Sequence, residues 1–199
     1  MTHAAHQETF TETARRAQII VSAIDTVNEI GYPRTSLAEI AKRAHVAKSA
    51  IVYYFGSKEA LLLHAVGQVF EALGTAIETA VAAEAAPEAR MRAYAVGYLA
   101  HIDAHRREVA AAVAILVSHL DADGTPLYLK SSEDDSALLR GILSDGMDAR
   151  VFRAMPLPAA VAIVEALLDL AITAVQKDLD SDLSEITDEI LSFLFRGLA

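Results

Sequence analysis

Lys48, Ser49, Ala50 and Tyr53 stand close together in the run Lys48 to Tyr54, whose spacing predicts a short helix with Ile51 turned toward a core. An ammonium, a hydroxyl and a phenol on one outward face suit hydrogen bonding to phosphate oxygens and base edges. The chemistry they point to is therefore recognition of duplex DNA. The preceding residues read as a second short helix. Ser36 is placed to cap it, Glu39 three residues on completes a capping box, and Leu37, Ile40, Ala41 and Ala44 form one apolar stripe. Between Ala44 and Ala47 the chain must reverse, so one short helix lies across the other and presents Lys48, Ser49, Ala50 and either Tyr53 or Tyr54 outward. That is the arrangement that places a helix in a major groove. Thr35 and Ser36, at a helix N-terminus, add backbone N–H groups and hydroxyls that suit a phosphate as well as a cap.

Helices this short are not stable alone, so flanking elements must hold them. Thr9 with Glu12, or Thr11 instead, opens a preceding helix in which Ile20, Ala23, Ile24 and Val27 recur at helical steps until Gly31 and Pro33 end it. On the other side Gly56 breaks the chain, Ser57 is a new N-cap, and Leu61, Leu62, Ala65, Val69, Leu73 and Ile77 mark a helix long enough to leave the head and enter the body.

The segment from Thr13 to Leu62 resembles the N-terminal domain of TetR-family transcriptional regulators. Arg15 or Arg16, Gly31, Thr35, Ile40-Ala41, Val46, Phe55 and Ser57-Lys58 stand where that family's pattern puts them, and the closing YYFGSKEALL makes the match specific. The resemblance implies an all-α protein with an N-terminal three-helix helix-turn-helix head, residues 1–56, and a helical ligand-binding and dimerisation body, residues 57–199. It also implies Tyr53 outward, Tyr54 inward, and a DNA contact from Lys48. Three positions depart from the pattern. His45 stands where glycine is usual, Val52 where a backbone-contacting tyrosine is usual, and Ala50 where a threonine or serine is frequent.

The charge distribution agrees with DNA contact at one end only. The formal net charge is −10. Residues 1–60 nevertheless carry Arg15, Arg16, Arg34, Lys42, Arg43, Lys48 and Lys58 against a nearly equal number of carboxylates, so the excess acid belongs to the body. Such an asymmetry favours one docking orientation and argues against non-specific coating of nucleic acid. The DNA-binding candidates are Arg34, Thr35, Ser36, Lys48, Ser49, Ala50, Tyr53 and Lys58.

Beyond residue 80, apolar periodicity predicts helices near 87–104, 106–120, 133–149, 158–177 and 183–196, punctuated by DGTP at 123–126, SSEDDS at 131–136 and MPLP at 155–158. Met91, Tyr94, Tyr98, His101 and His105, with Val113, Leu116 and Val117 on the next helix, are candidates to line an effector pocket for a small apolar or amphipathic ligand; plain core packing is the alternative. His101 and His105 also have the spacing of two metal ligands, but no further ligand is expected beside them and no metal site or cofactor is predicted. The stretch from Ala159 to Val175 is apolar on nearly all sides, which fits burial by its own body on one side and by a partner on the other better than a membrane span. Val161, Val164, Leu168 and Ile172, with Ile186, Ile190, Phe193 and Leu194 of the last helix, are the residues expected in a homodimer interface.

A dimer would read a palindromic operator. The expected function is a homodimeric repressor released by an effector; the alternatives are a ligand-dependent activator or a protein-interaction module using the same scaffold. The chain has no P-loop, GxGxxG, HExxH or cysteine nucleophile, so no enzyme is expected. Met1 to Thr9 is polar, without the apolar stretch of a signal peptide, and a cytoplasmic location is expected. With no cysteine, disulfides and thiol redox sensing are excluded.

Overall fold

The computed structural model describes residues 10–121, 123–127 and 136–199. The polypeptide is all-α, with nine α-helices among the described residues: α1 Phe10–Ile30, α2 Leu37–Arg43, α3 Lys48–Phe55, α4 Lys58–Ala82, α5 Pro87–Ala104, α6 Arg106–Ser118, α7 Ala137–Asp148, α8 Leu157–Lys177 and α9 Ser184–Leu198. A short 3-10 turn, Tyr32–Arg34, links α1 to α2. Two expectations lie outside the described residues, namely Thr9 as the cap of α1 and most of the SSEDDS segment with the start of the helix expected from 133. Thr11 is not a cap, because α1 is already under way at Phe10.

The helix ends are set by the signals that announce them. Ser36 Oγ accepts from Glu39 N–H at 3.2 Å to start α2, and Ser57 Oγ accepts from Ala60 N–H at 3.1 Å to start α4. Gly31 at φ 79° and Gly56 at φ 79° supply the left-handed backbone that ends α1 and α3. At the far end of α6, the Asp121 carboxylate accepts from Asp123 N–H and Thr125 N–H, closing the DGTP turn.

One apolar core runs continuously from the head into the body. In the head α1, α2, α3 and the start of α4 meet through Ile19, Ile40, Ile51, Leu61 and Leu62, all fully buried. Further along α4, Leu73, Ile77 and Val81 continue the same stripe into the body, where α4 lies against α5 and α6. Gly97 of α5 sits opposite Ala80 and Ile77 of α4, where an added Cβ would meet them at ordinary van der Waals distance. Both α4 and α8 are long and apolar enough by composition to cross a membrane, yet each directs its buried stripe into this core.

The end of α7 is a tight junction. Arg150, at φ 60°, takes the left-handed position of a Schellman cap in which Arg150 N–H bonds Met147 O and Val151 N–H bonds Gly146 O, each at 3.0 Å. The chain then folds the buried Phe152 ring over Gly146, where an added Cβ would lie 2.0 Å from a ring carbon. Gly146→Ala is therefore expected to destabilise the protein by about 1–3 kcal/mol despite alanine's better helix propensity, read as a lower denaturant midpoint.

Candidate nucleic-acid interface

The two short helices are held by side chains of α1. Gln18 donates to Ala44 O at 2.8 Å and ties down the end of α2. Arg16 donates to Tyr54 O at 3.2 Å, and its guanidinium lies over the Phe55 ring at 4.9 Å. A cation at a helix C-terminus is favoured by the exposed carbonyls and the helix dipole there. Arg16 is thus committed to orienting α3. Sequence spacing could not reveal this, because the partner is a backbone carbonyl 38 residues away.

The turn between α2 and α3 is a second Schellman cap. His45 N–H bonds Lys42 O and Val46 N–H bonds Ala41 O, with His45 in the left-handed region at φ 50°. This is the conformation expected at the position where glycine is usual, and it carries the strain of a Cβ. Ala47 then precedes α3 without any side-chain cap, so the first N–H groups of α3 have no capping hydroxyl.

The surface of α3 follows its register. Ile51 is fully buried, whereas Tyr53 is 75% exposed and stacks edge-on against the half-buried Tyr54. Tyr53 faces out and Tyr54 in, as the resemblance implied. Lys48 and Ser49 are exposed beside Tyr53, and Ala50 is half-buried. Val52 is 43% exposed on this same helix and offers no polar atom.

The remaining candidates divide. Arg34 is exposed, with Nε donating to Ile30 O, which leaves its other guanidinium nitrogens outward. Ser36 is half-buried and spends its oxygen on the cap. Thr35 does not suit DNA contact: it is buried, its hydroxyl donates to Gly31 O, and its N–H is bonded to Gly31 O and Tyr32 O. The 3-10 turn uses both of its polar groups. Lys58 is half-buried, its ammonium 4.7 Å from the centre of the Tyr32 ring, so it braces the start of α4 against that turn. Arg43 forms an ion pair with Glu29. The exposed cation nearest the α3 surface in sequence is Lys48.

Contacts between head and body exceed the long helix alone. Arg107 at the start of α6 pairs with Asp25 of α1 at 2.8 Å, and its carbonyl accepts from Asn28 at 2.8 Å. Beyond the other end of α6, His119 Nδ1 and Tyr32 Oη share a hydrogen bond of 3.2 Å. Helix α6 therefore touches the head at both its ends, a feature that periodicity does not disclose.

In the body the eight pocket candidates differ in their surroundings. Met91 is fully buried core, Val117 is 47% exposed, and Val113 and Leu116 are half-buried against the core. Tyr94 and Tyr98 instead face acidic groups of α8. Tyr98 Oη donates to Asp169 at 2.6 Å, and burial, followed by Asp169, raises its pKa above the ordinary phenol value. Burial likewise pushes Tyr94 up to about 12, with Glu165 and Asp169 contributing. The His101 and His105 rings lie 4.3 Å apart, and burial, then His105, lowers the pKa of His101. Among the described residues no group of three or more His, Cys, Asp or Glu is placed to hold a metal.

The expected dimer face needs a correction. Val161, Val164, Leu168 and Ile172 are buried within the protomer, as are Ile190 and Leu194, and they pack in its own core. Ile186 is half-buried; of the interface candidates only Phe193, at 65%, is exposed. The outward apolar face of α8 is instead Ile163, Ala166 and Leu170. Because α8 is apolar nearly all round, its sequence did not distinguish the two sides.

A head of this geometry matches known proteins. Residues 19–65 match the family model described as bacterial regulatory proteins, tetR family. Over these residues the chain is similar to the N-terminal part of TetR-family regulators. Its head is 39% identical over 80 residues to the HTH-type transcriptional regulator BetI of Burkholderia mallei, a match covering 40% of this chain and 41% of that relative. The chain thus aligns with about two fifths of the length of such curated relatives. The whole fold is similar to that of the TetR-family regulator PfmR from Thermus thermophilus, at TM-score 0.76 and 23% identity, covering 91% of this chain and 98% of that one. It is also similar to FadR from Bacillus subtilis, solved in complex with stearoyl-CoA, at TM-score 0.71 and 23% identity over 92% and 99% of the two chains.

In this head the strained residue is His45. His45→Gly is expected to stabilise the protein by about 1 kcal/mol, the left-handed strain relieved less the entropy glycine adds to the unfolded chain. Thermal unfolding of the two proteins side by side checks this, and an unchanged or lower midpoint would show that the histidine side chain compensates its own strain.

Proposed function

We propose that the protein is a homodimeric transcriptional regulator whose two α3 helices read a palindromic operator, and that an effector bound in the body releases it. The observation that carries this reading is the exposed Lys48, Ser49 and Tyr53 surface on α3, a helix held by Arg16 next to an α2 whose end Gln18 ties down. Its division of labour would be a DNA-reading head, residues 1–56, and a sensing and dimerising body, residues 57–199. The contacting groups are Arg34, Ser36, Lys48, Ser49 and Tyr53, with Ala50 and Val52 supplying only apolar contact. Repression, rather than activation, is the sign we assign.

Effector release would act as a population shift, in which a ligand favours the body state whose heads are wrongly spaced. The attachment of α6 at Asp25, Asn28 and Tyr32, beside the continuous α4, supports such coupling. A small apolar or amphipathic effector is consistent with the stearoyl-CoA complex of the Bacillus subtilis neighbour. The similarity of the head to TetR-family regulators supports a location with the DNA, in the cytoplasm.

Two experiments test the reading. In fluorescence anisotropy with a selected operator duplex, Lys48→Ala combined with Tyr53→Ala is expected to weaken binding by at least about tenfold and to lower the salt slope by about one per half-site. Unchanged affinity and slope in the folded variant would refute α3 as the reading helix. For the dimer, Ile163→Glu combined with Phe193→Glu is expected to give monomers in sedimentation velocity, since a buried unpaired carboxylate is costly at an apolar interface. A dimer that survives both substitutions would place the interface elsewhere.

A further inference from the structure

A cleft of about 380 Å³ lies between α5, the start of α6, the α8–α9 turn and α9. None of the pocket candidates from the sequence lines it. Side-chain contacts tie its walls to one another. Arg106 donates to Leu179 O and Ser181 O, holding the α8–α9 turn, and pairs with Asp103 at the end of α5. The Arg92 guanidinium over the Phe195 ring, 4.3 Å from its centre, pins α9 to α5. These contacts set the positions of the elements around the cleft.

The lining has two characters. Leu99 and Leu183 form a buried apolar floor, Leu191 is half-buried above it, and Val96 remains 43% exposed. Two of the three lining carboxylates are already engaged. Asp103 neutralises Arg106, and Asp182 accepts from Ser184 N–H at 2.9 Å to open α9. Asp188 is the exception: its carboxylate is exposed at the cleft and has no ion-pair or hydrogen-bond partner among the described residues. Asp182 adds a second negative charge nearby, and no cation in the lining other than the paired Arg106 offsets them. An apolar slot with a net negative rim is complementary to a cation carrying a short hydrocarbon chain.

We propose that this cleft is a ligand site for a small organic cation, a protonated amine on a short apolar chain, with Val96, Leu99, Leu183 and Leu191 holding the chain and Asp188 the ammonium. The site is separate from the DNA-reading surface, and its existence does not depend on how the protein regulates.

The test is titration of the full-length, isotope-labelled protein with hexylammonium, hexanoate and hexanol, followed by amide chemical shifts. Hexylammonium is expected to give saturable shifts confined to residues 96–106 and 182–191. Hexanol should bind the same residues about fivefold more weakly, and hexanoate more weakly still. Asp188→Asn is expected to reduce hexylammonium affinity by about fivefold and leave hexanol unchanged. Val96→Lys, a second exposed substitution, is expected to abolish the preference for the cation. Absence of saturable shifts in these segments, equal binding of hexanoate, or undiminished hexylammonium binding in a folded Asp188→Asn protein would each overturn the assignment.

Discussion

The structure depends on the burial of a small set of aliphatic side chains that no single helix of the head could bury alone. Helices of the length of α2 and α3 lose more conformational entropy than their own hydrogen bonds recover, so their order comes from packing. Ile40 and Ile51 supply it, fully buried against Ile19 of α1 and Leu61 and Leu62 of α4. Everything proposed for α3 follows from this, because a reading helix must be rigid to hold its side chains at fixed positions on a duplex. The Arg16 and Gln18 bonds then fix where the packed helices end.

The same core joins head and body. Helix α4 begins in the head and ends in the body without a break in its buried stripe, and α6 grips the head through Arg107 and His119. Packed cores move between discrete arrangements rather than deforming smoothly, so a change in the body would reach α3 as a rigid displacement. The net negative charge of the body favours approach to DNA through the head.

Much of the head was legible because its signals are local. Ser36 and Ser57 cap where their position before an apolar run says they should, and Ile51 and Tyr53 take opposite sides because helical register separates them. What escaped was long-range or degenerate. Thr35 looks like a polar residue at a helix start, yet the preceding 3-10 turn absorbs its hydroxyl and N–H. The apolar face of α8 was assigned to a partner through Val164 and Leu168, although those residues fill the protomer's core and Ile163 and Leu170 face outward. A helix apolar all round carries no phase, so only the packing could supply one. The surroundings of Tyr98 on α5 were hidden for a related reason: its hydroxyl partner, Asp169 of α8, lies 71 residues away in the chain.

The central claim is that two copies of α3 read a two-fold symmetric DNA site. The measurement that tests it most directly is selection of bound duplexes from a random library by the purified full-length protein, followed by sequencing. The account predicts enrichment of a palindrome whose half-sites are separated by about 34–36 Å or a longer helical interval, with the enrichment lost in the Lys48→Ala, Tyr53→Ala protein. Recovery of no motif, or of a motif without two-fold symmetry that the substituted protein selects equally well, would contradict it.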